Sequence, residues 1–482
     1  MALTRTSGIA SPEEAATAVF GPISRNVTDL KTWARLSPQK FVRSQTQIAR
    51  WSPEAKGQSI SAHEAFSAFG WPVLSQLADN TSAVTVQKGC DAATVLRTRR
   101  EATGFTRQQV AAKANVPLAD LDAAEAGARR SPIRVLTRIA QALALDGDRL
   151  GTVRGGGGDA ELGVRFRDVQ HGPGAMSAAV VLGLAEAAWV IATQSRLEEW
   201  LDQGRNSVPG RLGFVPVPTQ GTYRPAWRDG MDLAHRARDL MRLGQGAPIR
   251  GLKALLEDRL AIPLVQVELP ERFAGATIGN GSTRGIAVNM KGINENVWVR
   301  RMTMAHELGH LLWDPEEDLK RLRVDDNDVL EQGWDATADK VEARANAFAA
   351  EFLAPQSAVL QVYEQAGEGR DGVSAVMRTF GVSFTAAKWQ IHNGRGGGDR
   401  NPQMRAVPGT VPSDDWKADE AAVTDYFVIK ETPVARRGRF AELCVRAYKE
   451  NLISDDTAAS YLETDAQTFM DAEPSLTSLL TK

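Results

Sequence analysis

A chain of 482 residues is about three domains long, so a single small fold is excluded. Hydrophobic residues make up 43% and charged residues 24%, an ordinary globular balance that rules out wholesale disorder. Lys plus Arg is 57 against 59 for Asp plus Glu, so the chain as a whole is no polycation and any nucleic-acid contact must be local. The two cysteines, Cys90 and Cys444, cannot make a disulfide framework or a cysteine-rich zinc cluster, which leaves histidine and carboxylate as metal donors. Residues 1–21 lack the basic start and long apolar stretch of an export signal, and no run of about 18 apolar residues is read anywhere. A soluble cytoplasmic protein without a membrane segment is expected.

Two glycine runs, at 154–158 and within 393–399, read as flexible linkers, because ordering glycine loses entropy with no packing in return. The predicted organisation is a segment of unassigned role at 1–90, an all-α domain at 91–150, a linker at 151–159, a domain with a small β-sheet at 160–392, a linker at 393–400 and a helical C-terminal extension at 401–482. Overall this is an α+β chain, mostly α-helical. In the first segment Pro12, Pro22, Pro38, Pro53 and Pro72 break the pattern, and only short helices are placed there.

From Asp91 the signals become dense. Gly104 ends an amphipathic segment, Thr106 caps a short helix through Lys113, Asn115 and Val116 turn, and Pro117 opens a helix that Gly127 stops. Ser131 and Pro132 launch another through Ala144. Short helices joined by a tight turn build a helix-turn-helix domain. Thr106-Arg-Gln-Gln-Val-Ala-Ala-Lys-Ala-Asn-Val116, with Leu121, Glu125, Gly127 and Arg130-Ser-Pro132, resembles the helix-turn-helix family of phage repressors over about 55 residues. Ten basic residues against six acidic suit a phosphate backbone, and Arg107, Arg129 and Arg130 are the candidate DNA contacts. The second helix of the motif, however, carries Asp120, Asp122 and Glu125 and no side chain suited to base edges. The basic residues could equally be solvated faces of a domain kept for protein contacts.

Leu264–Leu269 reads as a strand, and 275–290 as two strands about an Asn280-Gly281 turn. Such a sheet can offer an edge to an extended peptide. Next comes Thr303-Met-Ala-His306-Glu307-Leu-Gly-His310. At about 100° per residue, His306 and His310 share one helical face and can point at one ion. Glu307, beside that face, can take a proton from water on the ion instead of ligating it. Zinc fits this donor pair, and a third ligand is needed from a second helix. That helix is Asp339-Lys-Val-Glu342-Ala-Arg-Ala-Asn-Ala-Phe-Ala-Ala-Glu351, ended by Pro355, with Val341, Ala345, Phe348, Ala349 and Phe352 as its apolar face. Glu342 lies nearer that buried flank than Glu351 and is the candidate ligand. His63, His171, His235 and His392 carry no ligand spacing.

Together, Arg301 to Leu312 and Glu342 to Pro355 resemble the ImmA/IrrE family of zinc metallopeptidases, over about 240–392. The resemblance implies Zn2+ held by His306, His310 and Glu342, catalysis through Glu307, and a protein substrate, typically a helix-turn-helix repressor whose cleavage lifts repression under stress. Here a domain similar to such a substrate is fused to the protease, so self-cleavage is open as well. The alternative is a DNA-binding regulator whose metal domain senses a ligand without turnover. Arg436, Arg437 and Arg439, ahead of a helical hairpin in the tail, read as solvated.

Overall fold

The computed structural model describes residues 12–23, 27, 29–86, 91–127, 131–152, 161–171, 176–201, 212–218, 225–280, 283–315, 319, 322, 324–326, 339–397, 404, 406–420 and 427–480. Among these residues helices dominate, with two four-stranded sheets, which is the expected α+β class. The chain forms two compact units, Met1–Gly204 with Thr424–Lys482, and Arg205–Val423. These units do not follow the cuts read from the glycine runs. Helices Leu162–His171 and Ala178–Trp200 fall in the first unit. The tail divides between both: helix Asp414–Asp419 lies in the second unit, and helices Arg439–Lys449, Asp455–Tyr461 and Ala466–Leu480 return to the first.

In the first unit, helices Pro12–Phe20 and Leu30–Leu36 are followed by a sheet that the sequence did not announce. Strands β1 (Lys40–Arg43), β2 (Gln47–Arg50), β3 (Gln58–Ser61) and β4 (Ser82–Val84) pair antiparallel in the order β3-β1-β2-β4. Each has four residues or fewer, too short for an alternating pattern to stand out. Phe41, Ile48 and Ile60 nevertheless reach one core with Phe20, Trp33 and Leu74. Ser61 ends β3 and caps helix Ala62–Phe69 in a reciprocal box with Glu64. The same Glu64 Oε2 accepts from the Ser454 amide at 2.8 Å, and Ser454 Oγ donates to Ser59 O at 2.7 Å. The tail is thereby bonded to β3.

The helix-turn-helix elements lie where the sequence puts them: Ala92–Thr103, Arg107–Lys113, Leu118–Glu125 and Ile133–Ala142. Gly104 ends the first helix at φ 72°, Thr106 and Gln109 form a capping box, and Asn115 turns the chain at φ 50°. Helix Ala178–Trp200 is long and apolar enough by length and composition to cross a membrane, although Glu186 interrupts its apolar run. Yet 72% of its apolar window is buried inside the protein. It carries Glu186, 6% exposed, which pairs with Lys113 of the helix-turn-helix and with Arg436 of the tail. Arg436 is itself 2% exposed, and Arg439 pairs with the buried Glu198. The reading of these two arginines as solvated is therefore overturned; each neutralises a carboxylate that the long helix buries.

In the second unit β5 (Leu264–Val267) runs parallel to β7 (Thr283–Asn289). The chain between them supplies β6 (Phe273–Asn280), the antiparallel hairpin partner expected around residue 281. A fourth strand, β8 (Asp325–Asp326), pairs with the outer side of β6 at Phe273 and Gly275. Helix Val297–Trp313 packs on β6 and β7, and helix Lys340–Leu353 crosses it, backed in turn by helix Ala226–Leu240. Arg301 anchors the far side of the first of these helices. Fully buried, it donates to Gly381 O at 3.0 Å and Ile249 O at 2.6 Å, pairs with Glu420, and lies 4.6 Å over the Trp416 ring.

Close approach of the helices depends on glycine. A Cβ at Gly309 would stand 2.8 Å from Phe348 Cδ1. At Gly230 it would collide with the Arg344 carbonyl oxygen and stand 2.9 Å from Ala347 Cβ. Gly230→Ala is accordingly expected to destabilise the second unit by about 1–3 kcal/mol, the usual cost of overpacking. Urea unfolding followed by tryptophan fluorescence measures it, and an unchanged midpoint would show that the helices do not touch there.

Candidate metal centre

The helical register of His306 and His310 brings their Nε2 atoms to 3.0 Å from each other. Glu342, entering from the crossing helix, places Oε2 3.2 Å from His306 Nε2 and 3.5 Å from His310 Nε2. One ligand atom from each of the three lies within 4.8 Å of the others, the only such group among the described residues. His306 is 0% and His310 2% exposed.

Both rings turn their other nitrogen outward to an acceptor. His306 Nδ1 lies 2.8 Å from Asn346 Oδ1, and His310 Nδ1 lies 2.7 Å from Asp314 Oδ2. A ring that donates through Nδ1 presents an Nε2 lone pair, so two nitrogens and a carboxylate oxygen face a shared point. Such a set repels itself unless a cation joins it. The electrostatics show the same demand: burial opposes charge on His310, but Glu342 and Asp314 overcome it and hold its pKa well above the ordinary value. Burial likewise opposes charge on Glu342, and the two histidines outweigh it and depress its pKa. Two imidazoles and one carboxylate fit zinc as a donor set, with a position left for solvent.

Glu307 stands apart from the three. It is 1% exposed, and its Oε2 receives the Thr277 hydroxyl at 2.7 Å from β6. Gly275 on the same strand makes room for it, since a Cβ there would lie 3.1 Å from Glu307 Oε1 and 2.8 Å from Thr303 Cγ2. The small sheet, expected to offer an edge to an extended substrate, carries β8 on its β6 side at Phe273 and Gly275, which leaves β5 at the other end of the strand order.

Glu351 departs from its expected place. It is 1% exposed, more buried than Glu342 at 9%, because helix Ala226–Leu240 covers that side of its helix. It serves a separate cluster, accepting from the Gln356 amide at 3.2 Å and Gln390 Nε2 at 3.0 Å, with His235 Nε2 at 3.1 Å. His63 packs edge-on against Trp200, and His392 lies 5.9 Å from the Trp389 ring. The His171 side chain lies outside the described residues.

Of the candidate DNA contacts, only Arg107 lies among the described residues. Arg107 Nε donates to Glu125 Oε2 at 2.9 Å and lies 3.4 Å from Asp122. Arg100 pairs with the same Glu125 at 2.5 Å, Arg134 with Asp456 at 2.7 Å, and Lys113 with Glu186. Much of the positive charge counted for phosphate is thus neutralised within the unit. Arg129 and Arg130 lie outside the described residues.

Sequence reasoning missed Thr277, Asp314, Arg344 and Asn346. Two of them had a signal, because Asp314 follows His310 and Asn346 follows Glu342 at the i, i+4 spacing that places side chains together on a helix.

His235 yields a pH test. Its hydrogen bond to Glu351 outweighs partial burial and raises its pKa to about 9. A group whose pKa is raised on folding stabilises most below its unfolded value, about 6.5, and that contribution disappears as pH rises through 9. Wild-type melting temperature should therefore fall from pH 6.5 to 9 more than that of His235→Asn. Parallel pH dependences for the two proteins would contradict the pairing.

Residues 293–392 match the family described as the IrrE N-terminal-like domain, a metallopeptidase family. Residues 91–152 match a helix-turn-helix domain family. The first match begins after β7, so β5 to β7 lie outside it and β8 lies within it. No curated protein matches the chain. Both domains named by resemblance are present, a helix-turn-helix domain followed by an IrrE-like peptidase domain.

Proposed function

We propose that the chain is a zinc-dependent endopeptidase coupled to transcriptional regulation, cleaving a helix-turn-helix repressor or a partner protein, this chain's own copies included, in a stress or phage response. The observation that carries the reading is the convergence of His306 Nε2, His310 Nε2 and Glu342 Oε2 beside an intact, buried Glu307. His306, His310 and Glu342 would hold the ion. Bound zinc supplies a Lewis acid that polarises a peptide carbonyl and brings the pKa of water toward about 7. Glu307 takes the proton from the attacking water and delivers it to the departing amine, while the Thr277 hydroxyl on Oε2 orients the carboxylate. A carboxylate so placed has no evident task in a pure sensor, which favours turnover over the non-catalytic alternative.

Glu307→Gln should retain about one zinc per chain by elemental analysis and lose proteolysis of a candidate regulator by about 10²–10⁴-fold. Equal regulation by wild type and this variant would remove turnover from the function.

The helix-turn-helix domain supports DNA as a second partner. Phosphate contacts weaken as salt rises, so binding isotherms at several salt concentrations should show falling affinity. An absent or salt-independent interaction would overturn the DNA role and leave docking to protein.

A further inference from the structure

Behind the three converging side chains, a second layer joins the helices that carry them. Asp314, the residue that ends helix Val297–Trp313, sets Oδ2 2.7 Å from His310 Nδ1. Its other oxygen receives Arg344 Nη2 at 2.5 Å. Arg344 lies two residues beyond Glu342 on the crossing helix and also donates to Val217 O, and the Val217 amide returns to Trp313 O at 2.7 Å. Asp314 is 3% and Arg344 2% exposed, so the pair is out of water.

We propose that Asp314, held by Arg344, is a positioning residue: it fixes His310 with its proton on Nδ1 and its Nε2 lone pair aimed at the ion. The inference rests on the zinc reading above. A neutral imidazole has two tautomers, and only one can serve a metal through Nε2. A carboxylate clamped by a guanidinium accepts hydrogen bonds and cannot donate, so the nitrogen facing it must carry hydrogen. The partner of His306 Nδ1 is the amide of Asn346, a neutral group whose oxygen and nitrogen can exchange places by rotation. Asp314 therefore dictates a tautomer where Asn346 only accommodates one. An anion behind the ring also makes Nε2 a better donor, and Arg344 offsets the cost of burying that anion. Because Arg344 and Glu342 share a helix, the setting of His310 is coupled to the placement of the third ligand.

Asp314 also caps its helix, its amide donating to His310 O at 2.9 Å, so a purely structural role has to be separated from positioning. Zinc affinity, measured by competition with a chromophoric chelator, makes the separation when read beside the melting temperature of metal-free protein. Asp314→Asn keeps the size and an acceptor while removing the charge; Asp314→Ala removes both. Zinc binding should weaken about 10–100-fold in Asp314→Ala, less in Asp314→Asn, and in the same direction in Arg344→Met. In zinc-loaded wild type labelled with 15N-histidine, the His310 signals should show Nδ1 protonated. Wild-type zinc affinity in both Asp314 variants, whatever their melting temperatures, would overturn positioning and leave Asp314 a helix cap. A wild-type protein that takes up no zinc would instead overturn the metal reading, and this inference with it.

Discussion

Two imidazole nitrogens and a carboxylate oxygen turned toward one point, away from water, repel one another unless positive charge shares the space. The second unit is arranged around this requirement. Its three donors come from two helices, so the helices must approach closely; Gly309 leaves room for that approach, and Gly230 lets helix Ala226–Leu240 close on the second of them from behind. The rings must present Nε2, so Asn346 and Asp314 stand at the outer nitrogens. Asp314 in turn needs a counter-charge in the interior, and Arg344 provides it from the helix that bears Glu342. Each of these follows from the same electrostatic problem.

Charge is settled by a comparable logic in the first unit, with the opposite outcome for its basic residues. A helix-turn-helix that grips DNA leaves its cations for phosphate. Here Arg100 and Arg107 converge on Glu125, Lys113 meets Glu186, and Arg134 reaches Asp456. The buried carboxylates Glu125 and Glu186 would be costly alone, so nearby cations are drawn to them. Taking Arg107 away to a phosphate would cost the domain one of the contacts that hold Glu125. The count of basic residues in this window thus overstates the charge it offers to a partner.

The amino-acid order alone determined the local features of the candidate centre. The i, i+4 histidines with their intervening glutamate, the second helix stopped by Pro355, and the capped helix-turn-helix were all legible, because each is written within one helical turn or one turn of chain. What only the tertiary structure decided is which distant groups meet. The short strands β1 to β4 pair across up to some forty residues, the tail returns to β3 through Ser454 and Glu64, and Glu351 becomes buried because helix Ala226–Leu240 lies over it. Thr277 beside Glu307, and Arg344 behind Asp314, are likewise contacts between separate elements. Periodicity reports which side of one element is apolar; it carries no information on what covers that side, and burial and ion pairing are settled by the covering element.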